Sequence, residues 1–270
     1  RITLPALPIQ YRDYALWQLS ESQRMKTAAQ LDYWVDALAN HIDTFRLPTD
    51  RARAAKVTGA TSRVTFEVTQ PLYLELKTAT QRHGITLNMM LSSAWALLLG
   101  KLSSNEIMQI GLPVAGREHP ACFDLIGLFV NTIVLKIDLT ADLSLTELFA
   151  QVKSRSIAAY ANQDAPLEQV IERLNPPRRF NQHPLFQTLL ALHLPFDDAV
   201  IPGLAVQTLA KSGGMSEFDI SLIVEENQVG LTCTIEYLNE LYDEQSVRQW
   251  LSYFLNVLKC CSKDSLLTIG

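Results

Sequence analysis

The sequence predicts an α+β fold, a mixed sheet covered by helices. Two observations carry this reading. Stretches with period-two alternation are interleaved with stretches at helical spacing, and the last third contains a hairpin pattern followed by an amphipathic helix. A composition of 270 residues, 48% hydrophobic and 19% charged, supplies the apolar material for a large core.

The elements follow in chain order. Tyr11–Leu38 is predicted as the first helical zone, because Tyr14, Trp17, Leu31, Trp34, Val35 and Leu38 recur at helical spacing. His41–Thr61 turns polar, carries Leu47-Pro48-Thr49-Asp50-Arg51 and Gly59, and reads as an irregular connector. From Ser62, Val64, Phe66 and Val68 alternate as a strand, and Gln70-Pro71 opens a helix. Thr86–Leu102 is apolar on nearly every side, so this helix is expected to be buried. Ile107–Val114 reads as a core strand, with a second marked by Ile133, Leu135 and Ile137. Ser144 and Glu147 form a capping box ahead of Leu145, Leu148, Phe149 and Val152. Ala165–Leu174 is a short helix closed by Asn175-Pro176-Pro177, and Leu185–Leu192 is a central strand. Phe218–Val224 and Val229–Tyr237 alternate around a turn at Glu225–Gln228, which predicts an antiparallel hairpin. Asp243 is placed to cap the last helix, whose Val247, Trp250, Leu251, Phe254, Leu255 and Leu258 form one apolar stripe.

Charge and composition exclude several classes. The net charge of −5 and the lack of a Lys/Arg stripe argue against nucleic acid. The longest apolar run, Ala94–Leu99, is far shorter than a bilayer span, and no leader pattern opens the chain. No membrane partner and a cytoplasmic location are therefore expected. Cys122, Cys233, Cys260 and Cys261 have no metal spacing and read as reduced thiols. The start at Arg1, running into Leu4-Pro5-Ala6-Leu7-Pro8, reads as a cut within a longer polypeptide.

Catalytic signatures are sparse. Gly100-Lys101 lacks the glycines of a phosphate loop, and no His-Glu-x-x-His, Cys-x-x-Cys or Gly-x-Ser-x-Gly occurs. Gly213-Gly214 reads as a turn. His41, His83, His119, His183 and His193 have no nucleophile, carboxylate dyad or second histidine at ligand spacing, and are read as structural. Residue chemistry alone leaves the activity open.

Five motifs in order change that position. Pro8-Ile9-Gln10-Tyr11-Arg12-Asp13-Tyr14-Ala15-Leu16-Trp17-Gln18 with Tyr33-Trp34 comes first, then Gly111-Leu112-Pro113-Val114-Ala115-Gly116-Arg117 and Ile126-Gly127-Leu128-Phe129-Val130-Asn131-Thr132. Asn162-Gln163-Asp164-Ala165-Pro166-Leu167-Glu168 and His183-Pro184-Leu185-Phe186-Gln187 complete the set. Together they resemble the condensation domains of nonribosomal peptide synthetases, over the whole chain. Asn162 for the usual His and Leu167 for Phe are mild departures. No Phe-Asn-Tyr-Leu-Gly-like segment marks an epimerisation variant, and Pro184-Leu185-Phe186-Gln187-Thr188 does not match the heterocyclisation pattern.

The resemblance implies two lobes similar to chloramphenicol acetyltransferase, set in a V around a tunnel. It divides the chain into residues 1–56, the end of the N-terminal lobe with the inter-lobe connector, and 57–270, the C-terminal lobe. The family's His-His-x-x-x-Asp-Gly is absent from this chain, so no catalytic residue is assigned here, no metal is expected, and the chain alone is expected to be inactive. The implied reaction is amide formation between thioesters carried on phosphopantetheine arms, with no cofactor bound directly. The implied partners are upstream and downstream carrier domains, the missing N-terminal lobe and an adenylation domain. Arg117 resembles the arginine that pairs with the Asp of the histidine motif; beside Glu118 it also reads as a solvated loop residue. Asn131 either fixes backbone and lines the tunnel or caps a strand. Two other functions remain open on the residues: a non-catalytic carrier-docking module, and a stand-alone acyltransferase of the same superfold.

Overall fold

The computed structural model describes residues 5–39, 47–54, 58–177, 179, 181–193, 204, 214–227 and 229–263. His41, Gly213, the 56/57 boundary and the turn residue Gln228 lie outside them. The predicted first helical zone is two helices, α1 (Tyr11–Gln18) and α2 (Glu21–Leu38), because Ser20 adopts extended backbone between them. α2 buries Leu31, Trp34 and Leu38 in the main core.

Among the described residues six strands form one sheet: β1 (Thr61–Val68), β2 (Ile107–Val114), β3 (Asn131–Asp138), β4 (Thr188–His193), β5 (Ile220–Asn227) and β6 (Gly230–Leu238). Their order is β1-β6-β5-β4-β2-β3. β4 runs parallel to both neighbours and every other pairing is antiparallel, so the sheet is mixed and β4 is central, as its apolar run predicts. The registers Leu190↔Leu222, Leu222↔Ile235 and Val64↔Ile235 place one row of apolar side chains on the same face.

Helices α3 (Gln70–His83), α4 (Leu87–Ser103), α5 (Leu145–Ala161) and α7 (Glu244–Ser262) pack with that row in the main core. The stretch Met90–Gly100 of α4 is buried all round, as its unbroken apolarity requires. Its one polar ring atom, Trp95 Nε1, donates to Thr188 Oγ1 at 2.9 Å, so the central helix enters the core without an orphaned indole. The Ser144–Glu147 capping box forms: Ser144 N donates to Glu147 Oε2 at 2.8 Å and Glu147 N to Ser144 Oγ at 3.3 Å. These bonds hold the Glu147 carboxyl below its ordinary pKa. α6 (Leu167–Leu174) starts two residues later than expected, at Leu167 after the N-cap Pro166, and ends on left-handed Asn175.

Three boundaries differ from expectation. β4 begins at Thr188 because Leu185 and Phe186 give their N–H groups to the His183 ring instead of a ladder. The hairpin turn follows Asn227, whose Oδ1 accepts from Val229 N at 2.9 Å and whose Nδ2 reaches Thr232 Oγ1 at 3.0 Å. Asp243 occupies the N-cap position of α7, but its carboxylate accepts from Arg51 and caps nothing. Asp50 takes over that role: one oxygen accepts from Asp243 N and the other from Ser246 Oγ, both at 2.7 Å.

The described part of the connector, residues 47–54 and 58–60, is irregular, as predicted, yet tightly laced down. Asp50 N and Arg51 N donate to the Leu241 carbonyl, and Thr58 N donates to the Glu240 carboxylate. Arg53 donates to the Asn181 carbonyl and pairs with Asp219; their side chains are only 19% and 7% exposed. No single helix among the described residues is long and apolar enough to cross a membrane.

The two connector arginines are expected to differ in weight. Arg53→Met leaves a buried carboxylate unpaired and should cost about 3–5 kcal/mol in urea unfolding. Arg51→Ala opens a half-exposed pair and should cost about 1 kcal/mol or less. Equal losses in the two variants would contradict this account of the strap.

Candidate functional site

Arg117 leaves β2 on a turn that only glycine permits. Gly116 sits at φ +62°, and a Cβ there would lie 1.9 Å from the Phe129 carbonyl oxygen. The turn sends Arg117 across the loop that follows. Its Nη1 donates to the Cys122 carbonyl and, at 3.5 Å, to that of Phe123. Its guanidinium lies 4.0 Å above the Phe129 ring, a cation–π contact.

Phe129 is itself fixed by α1. Tyr11 meets the ring edge-on at 5.2 Å, and Tyr14 lies against it at 4.6 Å. Tyr11 also donates to the Leu128 carbonyl at 2.9 Å and passes so close to Gly127 that a Cβ would sit 2.2 Å from its ring. Cys122, Leu125 and Phe129, with Ile9, Tyr11 and Tyr14 packed on them, form a second small core. Burial raises the Tyr14 phenol pKa. The motif in α1 and the motif around Phe129 are therefore two halves of one cluster.

Asn131, the first residue of β3, binds the turn between α5 and α6. Its Nδ2 donates to the Gln163 and Ala165 carbonyls, both at 2.8 Å, and its Oδ1 accepts from Leu167 N at 3.2 Å. From the other side α2 grips the same turn. Trp34 Nε1 donates to the Asn162 carbonyl at 2.9 Å, Gln30 Oε1 accepts from Ala165 N at 2.8 Å, and Lys26 pairs with Asp164 at 2.6 Å. Gln163 Nε2 reaches Glu118 Oε1 at 2.6 Å, next to Arg117. Between α1, α2 and this turn lies an open groove of about 630 Å³, lined by Tyr14, Trp17, Leu31, Asn131, Gln163 and Glu168 among others.

Arg117 and Asn131 thus sit on two sides of one assembly, with Gly116 and Asn131 both on the groove wall. Sequence reasoning passed over Gln30, Phe129 and Gln163 as individual residues. Phe129 and Gln163 stand inside the quoted motifs, whereas Gln30 follows no periodicity that marks it. Next to the site the loop presents Phe123, Ile126, Leu128 and Val130 to solvent, Ile126 at 95% exposure.

The described histidines do not converge. His119 Nδ1 accepts from Ala121 N at 3.2 Å, His83 meets Phe149 edge-on at 5.0 Å between centroids, and His193 is exposed at the end of β4. His183 lies against Phe186 and Phe218, and its Nδ1 accepts from Leu185 N and Phe186 N at 3.4 and 3.3 Å. Burial pushes its pKa down to about 4. No group of three or more potential metal ligands occurs among the described residues.

Two outcomes test this reading. The folded state keeps His183 neutral, while the unfolded chain protonates it near its ordinary 6.5. Its contribution to stability is complete above pH 6.5 and falls as the pH drops from there toward 4. His183→Asn keeps an acceptor for the two N–H groups without titrating, so its melting temperature should lose that part of the pH dependence. Asn131→Ala orphans two carbonyls and one amide at the turn and should destabilise by about 2–4 kcal/mol in urea unfolding; a loss under 0.5 kcal/mol would remove Asn131 from the clasp.

Comparison with known proteins completes the site. The family model for the condensation domain matches residues 2–270. Bacitracin synthase 3 of Bacillus licheniformis is 32% identical across 97% of this chain, and the match spans 4% of that protein. The dimodular nonribosomal peptide synthase of Bacillus subtilis is 33% identical across 98% of the chain and 12% of its own length. The chain therefore spans a small part of these curated relatives. Among solved structures, the X-domain from teicoplanin biosynthesis superposes with a TM-score of 0.88 at 24% identity, covering 98% of this chain and 62% of that one. The fold, the first four motifs gathered around Arg117 and Asn131, and the family match lead to one assignment: this chain belongs to the condensation-domain family of nonribosomal peptide synthetases.

Proposed function

We propose that residues 57–270 are the C-terminal lobe of an amide-forming condensation domain and residues 1–56 the end of its N-terminal lobe with the connector. The observation that carries this reading is Arg117 itself. One nitrogen is bound by loop carbonyls and the guanidinium face by Phe129, while Nη2 and Nε make no bond among the described residues. A fork held in this way accepts a carboxylate bidentately. The Asp of a His-His-x-x-x-Asp-Gly loop on the other lobe is the carboxylate that the family resemblance supplies. The exposed ridge of Phe123, Ile126, Leu128 and Val130 flanks it, as expected of a surface that another lobe covers.

In the intact domain the two substrates are thioesters on the phosphopantetheine arms of an upstream and a downstream carrier domain. The acceptor amine attacks the donor carbonyl, the C–N bond forms, the C–S bond breaks, and the donor arm leaves as its thiol. The attacking nitrogen gives up a proton, which a histidine beside it takes or electrostatically relieves. Tethering both reactants in one tunnel removes much of the entropic barrier. The role of this chain is then positional. Arg117 locks the histidine loop, and Asn131 fixes the backbone of the tunnel wall. A carrier domain on each side, an adenylation domain nearby and a cytoplasmic location complete the reading.

A second reading, a non-catalytic docking module, draws on the apolar ridge and the lack of a histidine base in the chain. One assay separates them: peptide product from two loaded carrier proteins, with the chain alone and with the chain joined to a lobe bearing His-His-x-x-x-Asp-Gly. The expected outcome is no product from the chain alone, turnover from the joined protein, and at least a tenfold loss on Arg117→Ala, the order of a broken buried pair. A joined protein that binds carriers but never forms product supports docking. Turnover by the chain alone refutes the assignment of the base to the other lobe.

A further inference from the structure

Arg117 has a competitor for its free nitrogens in the next residue. Glu118 is a carboxylate on the same exposed loop, and an Arg–Glu pair there would close the fork before any other carboxylate arrived. Among the described residues no ion pair joins the two. Glu118 is turned the other way: its Oε1 accepts from Gln163 Nε2 at 2.6 Å. Gln163 can reach it because its own backbone is fixed. Its carbonyl accepts from Asn131, and the next residue, Asp164, is held by Lys26 and Gln30.

Resting on the reading of Arg117 given above, we infer that Gln163 is a positioning residue: it holds Glu118 away from Arg117 and so keeps the guanidinium open for the carboxylate of the histidine loop. Phe129 supplies the other half of the arrangement. Its ring, clamped by Tyr11 and Tyr14, keeps the guanidinium plane in place without occupying an N–H. The Gln-Asp pair inside the fourth motif thereby divides its work. Asp164 ties the turn to α2, and Gln163 acts on the loop of the second motif.

The test is a rescue cycle in the full condensation domain, read as the rate of peptide formation between loaded carriers. Gln163→Met keeps the length of the side chain and every backbone bond of the turn but frees Glu118. The rate should fall about fivefold, the order of an exposed ion pair, with the KM for both carrier substrates unchanged. Glu118→Gln alone should leave the rate near the parent. Adding Glu118→Gln to Gln163→Met should restore the parent rate, because the competing charge is gone. A structural role for Gln163 would not be rescued this way, and melting temperatures of the three proteins register any loss of fold separately. Failure of the double variant to recover, or an unchanged rate in Gln163→Met while Arg117→Ala is impaired, overturns the inference and leaves the reading of Arg117 standing. A harmless Arg117→Ala overturns both.

Discussion

The turn between α5 and α6 has more backbone groups to satisfy than its own residues can serve, and the arrangement of the molecule around the site follows from how they are met. Asn131 closes three of them from the sheet, and Trp34 and Gln30 close two more from α2. A buried or half-buried peptide group without a partner costs about 1–3 kcal/mol. The turn is therefore stable only where β3 and α2 present their amides and indole together. That requirement sets the position of α2 against the sheet and the width of the groove. Through Gln163 it also reaches the loop of Arg117. α2 is fastened to the turn by side-chain bonds to its main chain, a more exacting link than apolar contact.

Electrostatics on the opposite flank obeys a related logic. The described connector residues, 47–54 and 58–60, form no helix or named strand, so their backbone and charges look outward for partners. Asp50 caps α7, Arg51 occupies the residue that would have capped it, and Arg53 enters a nearly closed site to meet Asp219. Burial raises the Asp219 pKa, and Arg53 opposes that rise. Tyr242, with its hydroxyl fully buried nearby, is pushed well above its ordinary pKa by the same desolvation and by the Asp219 charge. The strap holds by one buried pair surrounded by exposed ones, so its strength is concentrated at a single residue.

What could be read from the sequence followed the length scale of each interaction. Alternation and apolar runs located the six strands of the described residues and the buried α4, and the Ser144–Glu147 box appeared where local spacing placed it, since these depend on residues within one or two turns of each other. The boundaries that shifted were governed by distant partners. Asp243 is a sound cap by local rules, but Arg51 takes its carboxylate. Leu185 and Phe186 are apolar enough to extend β4, but the His183 ring captures both of their N–H groups. The break at Ser20 was masked because the apolar residues on either side keep helical spacing. The ordered motifs identified the family and pointed to Arg117 and Asn131. They could not show that Phe129 carries the guanidinium or that Gln163 faces Glu118, because those contacts join motifs that are far apart in the chain.

The strand order has a consequence for how this chain is made. Among the described residues β1 pairs only with β6, and Glu67 lies opposite Thr232, 165 residues later. β4, parallel to both its neighbours, cannot close the sheet through a hairpin and must wait for β5. A ribosome adding about 5–20 residues per second leaves β1 without its partner for roughly ten to thirty seconds. During that interval Val64, Phe66 and Val68 lack both β6 and α7, the helix whose Phe254 meets Phe66 edge-on. Among the described strands, β1 thus waits longest for its partner, and this edge of the sheet stays open until β6 arrives.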